Sequence, residues 1–575
     1  MPIAYAVPQK HLTATRERSE MTLDAELKKM KSRFSQHWKL PPTWSRFLIV
    51  ILLLLGVFFR FVNLDRKVYW HDEVYTSLRV SGYTEAELVQ QVVGHEIGKE
   101  DLQKYQRINS EKGLVDTIKG LAVEEPQLPP LYYVMVRLWT QWFGNSVAVT
   151  RSFSAVMSLL VFPVLYWLCL ELFESSLTGW LAIALIAVSP VYVLYAQEAR
   201  HYSLWTVTIL LSSAALLRAM RLKTKLSWAM YAVSLGLGLY TFMLSGLVAI
   251  SHGIYVITTE RWRLTQTVVA FMLASVAALL AFAPWFLVVI THLSAAKSST
   301  AWLSQELSRL VMVKLWVFQI FSPMFVDFWH ASNFFPDLHL HYLNFGKYFS
   351  LPLLILTGYS FYFLYHHASK KVWLFILSLT GVIVLVMLLP DLILGGRRSL
   401  SPRYLIPLYL GMQLTVAYLL TTQILAFSSQ TRQQKLWQLI TVATVSLGVF
   451  SCVISSQAQT WWNKMSNEKN PQIARVINQA TRPLVISDSE IGYVVSLSYL
   501  LDSKVRILLT SEIQKTESKI SKLTESFSDI FLFDSPYHFK VWQSPEKGLR
   551  SILAKEHNYK LKPAYEEGGL WRIEK

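Results

Sequence analysis

The sequence predicts a polytopic α-helical membrane protein with a small α/β domain at its C-terminal end. Three observations predict it. Of 575 residues, 53% are hydrophobic and only 16% charged, with a mean hydropathy of +0.33; a soluble chain of this length carries more charge. Apolar runs long enough to cross about 30 Å of hydrocarbon recur from Phe47 to residue 456. After Trp461-Trp462 the composition turns to ordinary soluble patterning.

Residues 1–45 are polar, with Lys28, Lys29, Lys31 and Arg33, and read as a cytoplasmic basic tail. The apolar run that follows is too long for a signal-peptide core, so no cleaved leader is expected. Span 1 covers Phe47 to Leu64. A first outer loop, 65–146, closes on the short aromatic stretch Leu131–Phe143, which suits a helix lying in the interface. Further spans are expected near 147–171, 177–195, 203–221, 227–241, 243–258, 266–290, 347–366, 372–390, 403–424 and 435–456, giving about 11. The pair 227–241 and 243–258 is short and could be one broken helix.

Basic loops set the orientation. Arg218, Arg221, Lys223 and Lys225 fall on one side, and Arg261, Arg263, Lys370, Lys371, Arg432 and Lys435 fall there too, with the N-terminal tail. That side is cytoplasmic by the positive-inside rule. A second outer loop, 291–346, holds the apolar stretch 309–321, a re-entrant or interfacial helix, and the His-rich run Phe325 to His341.

Residues 459–575 carry short strands at 483–487, 504–509 and 530–533. Helices are expected around 471–480, 491–501, 511–527 and 546–557, the alternation of a small α/β domain. The topology puts it outside, in a multi-pass plasma-membrane protein.

The formal net charge of +17 does not form a nucleic-acid stripe; the cations sit in short loops and can touch anionic lipid. Cys169 and Cys452 fall in predicted spans, so neither a disulfide framework nor a thiolate metal site is expected. A P-loop and a dinucleotide fingerprint are both missing from the sequence.

Four stretches can carry chemistry. Trp70-His71-Asp72-Glu73-Val74-Tyr75 places two acids at the mouth of span 1, a costly position that marks a functional site. Asp72 suits a general base, Glu73 a supporting charge, and His71 a cavity wall; the plain alternative is a solvated loop. Leu128-Pro129-Pro130-Leu131-Tyr132-Tyr133 opens the interfacial helix, with prolines in the first turn. Tyr132 and Tyr133 border a cavity or belong to an aromatic belt. Glu198-Ala199-Arg200-His201-Tyr202 lies at an outer span end, where Arg200 suits a phosphate and Glu198, His201 and Tyr202 line its surroundings; a structural Glu198–Arg200 contact is the alternative. Gly395-Gly396-Arg397-Arg398, with Arg403-Tyr404, puts three arginines on the outer side against the positive-inside tendency. An anionic ligand held by Arg403, Arg397 and Arg398 explains this, as do ordinary lipid headgroups.

In this order the four stretches resemble the GT-C superfamily of polyprenyl-phosphate-sugar glycosyltransferases. The branch is similar to that of protein O-mannosyltransferases and the lipid A aminoarabinose transferase, of the glycosyltransferase family 39 type. The resemblance covers roughly residues 45 to 456 and makes 46–458 a GT-C-like catalytic domain. It implies inverting transfer of a sugar from a polyprenyl phosphate to a lipid, glycan or protein acceptor outside the membrane. It implies Asp72 as base, with Arg200 and Arg403 on the donor phosphate. Phosphate leaves readily once its charge is stabilised, so no cofactor is expected and no divalent metal is needed in principle. Leu128 replaces the histidine usual in this family. Rival readings are a lipid or glycan transporter, and a GT-C-like scaffold without catalysis. No nucleic-acid partner is expected.

Overall fold

In a computed structural model of the protein, residues 43–328, 348–425, 432–461, 467–510, 526–535, 549–550 and 560–574 are described. The tail before residue 43, the run from 329 to 341 and the helices expected at 511–527 and 546–557 fall wholly or mostly outside them.

Each segment that the sequence marks as a span is helical. The first is Thr43–Phe61, followed by Val147–Phe173, the bent pair Ser176–Ala187 and Pro190–Ala196, Tyr202–Leu222, Lys225–Thr241 and Ser245–Thr259. Then come Gln266–Thr291, Ser350–His367, Lys370–Leu394, Pro402–Ile424 and Arg432–Gln457. Among the described residues, six helices are long and apolar enough to cross a membrane, or up to eight if each of two bent pairs is one span. The sequence count of about 11 is therefore larger than length and composition establish. Helices of 17 and 15 residues at Lys225–Thr241 and Ser245–Thr259 account for part of the gap. They are separate helices, broken at Phe242-Met243-Leu244.

The pair Ser176–Ala187 and Pro190–Ala196 bends by 64°, with Pro190 at the first position of the second helix, where a missing N–H is harmless. A 90° bend joins Leu293–Ser304 to Arg309–Met324 in the second outer loop, the irregular backbone expected where apolar chain re-enters protein. Tyr202–Leu222 and Pro402–Ile424 are almost wholly buried and form the middle of the bundle.

Among the described residues, six strands form one sheet: β1 Glu96–Ile97, β2 Pro483–Ser487, β3 Arg506–Leu509, β4 Asp529–Phe533, β5 Lys560–Tyr565 and β6 Leu570–Glu574, in the order β1-β3-β2-β4-β6-β5. β2 pairs in parallel with β3 and β4, and the other pairs are antiparallel. β2, Pro-Leu-Val-Ile-Ser, is buried along its length, as a central parallel strand must be. The sheet is not built from residues 459–575 alone, because β1 belongs to the first outer loop.

Alternate residues of the sheet feed two cores. Leu484, Ile486, Leu508 and Leu532 face one side. Val485, Ile507, Leu509 and Phe531 face the other, where Val74, Tyr75 and Leu78 of helix His71–Ser81 join Val494 and Leu497 of helix Ile491–Ser498. One apolar core thus fixes the first-loop helix to the sheet, by burial at about 25 cal/mol per Å².

Candidate active site

Helix His71–Ser81 starts directly after the first apolar helix and the turn that follows it, and its first turn carries Asp72 and Glu73. Acids suit this end, where unpaired N–H groups and the helix dipole favour negative charge. The two carboxylates part company at once.

Glu73 turns inward and is fully buried. Arg151 donates to it twice, Nε to Oε1 at 2.8 Å and Nη2 to Oε2 at 2.6 Å. The N–H groups of Ala199 and Trp70 also donate to it, at 2.8 and 3.3 Å. Arg151 spends its remaining donors on the carbonyls of Leu64, Lys67 and Val68. This is a bidentate, fully satisfied pair that ties the span 1 exit, the Asp72 turn and the Glu198–Tyr202 stretch together.

Asp72 turns outward, and its side chain keeps 20% of its surface. Arg403 Nη1 donates to Oδ2 at 2.5 Å, and Arg200 Nη2 lies 3.9 Å from the same oxygen. Arg200 Nη1 also donates to the Asp72 carbonyl, Thr76 Oγ1 and Tyr133 Oη. Burial would push the Asp72 carboxyl up, but Arg403 and Arg200, with His71, hold it well below the usual carboxylate range. The Arg403 guanidinium lies over the rings of Trp70, Trp302 and Tyr404 at 5.3–5.9 Å, a cation–π setting on a side chain that is 15% exposed.

His71 stands on the other side of Asp72. Its Nδ1 is 3.5 Å from Asp72 Oδ1, and its Nε2 is 2.8 Å from Glu490 Oε1. Tyr75 Oη donates to the same Glu490 oxygen at 2.9 Å. Burial opposes the imidazolium, yet Glu490 and Asp72 together raise His71 to about 10.

The remaining candidates divide. Tyr133 reaches Arg200, whereas Tyr132 is fully buried against Ser154 and supports the helix behind. Glu198 is fully buried, within electrostatic reach of Arg403 and Arg151. His201 packs its ring on Tyr202 and Phe242, and neither ring nitrogen has a hydrogen-bond partner. Tyr202 is buried beside it. Tyr404 stacks on Phe242. Arg398 pairs at 3.0 Å with the buried Asp391, which also accepts from the Ser399 N–H and hydroxyl, so Arg398 shapes the turn. Arg397 keeps a buried Nε without a partner. Gly396, at φ +132°, admits no side chain, since a Cβ would lie 2.6 Å from Asp391 Oδ1. Leu128 lies in the main apolar core.

Three participants escaped the sequence reading. Arg151 looks like a stray cation in an apolar helix, Trp302 like one aromatic among many, and Glu490 sits in a stretch without a motif. Among the described residues, no three His, Cys, Asp or Glu side chains gather as a metal ligand set.

Residues 127–288 match the family model Dolichyl-phosphate-mannose-protein mannosyltransferase, a segment that holds the Leu128–Tyr133 and Glu198–Tyr202 stretches. The whole fold matches the crystal structure of ArnT from Cupriavidus metallidurans bound to undecaprenyl phosphate. There the TM-score is 0.50 at 11% identity, with 93% of this chain and 98% of that one covered. The chain therefore has the fold of ArnT over almost its whole length, and its residues 127–288 resemble the mannosyltransferase family. The apo form of ArnT from the same organism gives a TM-score of 0.51 at 11% identity, covering 92% of this chain and 98% of that one. A looser likeness, TM-score 0.47 at 12% identity over 85% and 69% of the two chains, links it to the Archaeoglobus fulgidus oligosaccharyltransferase. No curated protein matches the sequence.

Proposed function

We propose that the protein transfers a sugar from a polyprenyl-phosphate-linked donor to an acceptor on the extracytoplasmic face, with inversion at the anomeric carbon. The observation that carries this reading is the grip of Arg403 and Arg200 on one partly exposed carboxylate, Asp72. Two guanidiniums aimed at one anion make a phosphate cradle, and ArnT was crystallised with a polyprenyl phosphate bound. The donor phosphate takes Arg403 and Arg200 and frees Asp72 Oδ2.

The acceptor nucleophile then attacks the anomeric carbon from the face opposite the phosphate. Its bond to that carbon forms as the carbon–oxygen bond to phosphate breaks. Asp72 takes the acceptor proton, and the bonding pair leaves on the phosphate, where the arginines stabilise it. Glu73 acts through Arg151, holding the turn. Positive charge from the arginines serves where a divalent ion otherwise would, so turnover should persist in EDTA.

The helices support this sidedness. Arg200 and His201 precede Tyr202–Leu222, and Arg218, Arg221, Lys223 and Lys225 lie at its far end. A helix of 21 residues separates its ends by about 30 Å. Lys370 and Lys371 likewise lie at the opposite end of Lys370–Leu394 from the Gly395–Arg403 turn. With the basic loops cytoplasmic, Arg432 and Lys435 open the last long helix, Arg432–Gln457, on the inside, so the sheet that follows it lies outside, on the face of Asp72.

The deciding experiment is transfer by purified Asp72→Asn protein with a polyprenyl-phosphate-sugar donor. Loss of at least a hundredfold in kcat with intact folding is expected. Turnover within a few-fold of wild type would sink the base assignment.

A further inference from the structure

We propose that Glu490, from the C-terminal region, is a positioning residue for the reaction: it holds His71 as a doubly protonated bridge that fixes the catalytic carboxylate Asp72. The proposal rests on the reading of Asp72 as base, and it ties the α/β sheet to the chemistry.

The geometry is a row of three groups. Glu490 Oε1 lies 2.8 Å from His71 Nε2, and His71 Nδ1 lies 3.5 Å from Asp72 Oδ1. Both imidazole nitrogens thus face carboxylate oxygens. Only the imidazolium can donate at both, because a neutral ring turns one lone pair toward an anion. Asp72 Oδ1 then belongs to His71 while Oδ2 belongs to the arginines. When phosphate claims the arginines, the bridge to Oδ1 is what keeps the carboxylate aimed.

The contact is built closely. Glu490 precedes helix Ile491–Ser498, whose second residue, Gly492, lies against the histidine: a Cβ there would be 2.8 Å from His71 Cδ2 and from Tyr75 Cε2. Tyr493 packs its ring 4.7 Å from the His71 ring, and the His71 N–H donates to Asn467 Oδ1 at 3.0 Å. The titratable and charged groups around the row are therefore Tyr75 and Tyr493 beside His71, Glu85 near Glu490, and Arg403, Arg200 and Tyr133 around Asp72. Glu85 needs separating from His71, since burial, with Glu490 nearby, pushes it up to about 7.

The test uses the full chain in lipid nanodiscs with 13C-labelled histidine, the His71 signal being the one lost in His71→Gln. In wild type His71 stays charged to pH 8.5; in Glu490→Gln its midpoint falls by at least one pH unit, and in Glu490→Asp it returns most of the way. An unmoved midpoint overturns the proposal whatever the activity does. With a purified polyprenyl-phosphate-sugar donor, Glu490→Gln should lower kcat about tenfold and leave donor KM within twofold. The alkaline side of its pH profile should move down into the range 6–8. That new limb should vanish when His71→Gln is added. A limb that survives in the double variant belongs to Glu85 and overturns the proposal, as does an unchanged kcat with an unchanged profile. Should Asp72→Asn keep wild-type turnover, the base reading fails by itself, while the His71 midpoint still reports on Glu490.

Discussion

At the scale of single residues, two adjacent acids have opposite employments. Glu73 is bound to Arg151 with no exposed surface, and breaking such a pair strands a buried charge. Arg151→Ala should therefore destabilise the protein by about 3–5 kcal/mol, read as a large drop in thermal midpoint in detergent, with Glu73→Ala close behind. Arg403→Ala should instead raise donor KM about 10- to 150-fold while folding stays near normal; an unchanged donor dependence would move Arg403 to the lipid headgroups.

The pH behaviour of the Asp72–His71–Glu490 row has a definite sign. Asp72 is depressed in the fold, so its contribution is present above the unfolded carboxylate pKa of about 4 and is lost as pH falls through the lower folded value. His71 is raised, so its contribution is full below about 6.5 and is lost as pH climbs toward about 10. Hydrogen exchange in helix Ile491–Ser498 should be slowest, relative to the intrinsic rate, between about pH 4 and 6.5; protection that rises steadily to pH 9 would contradict this.

Asp72, Arg200 and Arg403 were legible because each is costly where it stands in an apolar chain. Their mutual grip was not, since Arg403 and Asp72 are 331 residues apart. Arg151 was hidden by the same rule that exposed the others: a cation inside an apolar helix finds its carboxylate 78 residues away, which no local pattern records.

At the scale of elements, the apolar segments were readable nearly to the residue, because a bilayer demands length and hydropathy together. The strands were readable where they are buried on both faces, as in β2 and β4. β5 reads Lys-Leu-Lys-Pro-Ala-Tyr and is largely exposed, so it carried no apolar signal, and β1 is two residues long. Helix contacts add a constraint that hydropathy lacks. Gly56 in Thr43–Phe61 admits no Cβ, which would lie 2.8 Å from Ala187 Cβ and O, and a Cβ on Gly448 in Arg432–Gln457 would lie 2.7 Å from the Val188 carbonyl. Both close on the break before Pro190, where Arg60 donates to the carbonyls of Ala187 and Ile186. Gly56→Val should cost on the order of 1–3 kcal/mol by overpacking, visible as a lower thermal midpoint, although valine suits the membrane better by hydropathy. An unchanged midpoint would show that these helices can separate.

At the scale of the whole molecule, the fold joins what the sequence separates. The first outer loop and the last residues share one sheet and one apolar core, with Lys99 donating to the Leu501 carbonyl 402 residues away. Removing everything after residue 458 should abolish transfer and open the segment 71–105 to protease, even if the helices still insert; a shortened protein with normal turnover would refute that dependence. The same pairing sets a timetable for biosynthesis. A ribosome adding about 5–20 residues per second needs roughly 20–80 s to travel from Lys99 to Leu501. Through that interval Val74, Tyr75 and Leu78 wait without their covering strands, and the helix that bears Asp72 has nothing to lean on. The first-loop helix therefore stays uncovered until the final stretch arrives, and a chain stalled in translation holds Asp72 on an unsupported helix.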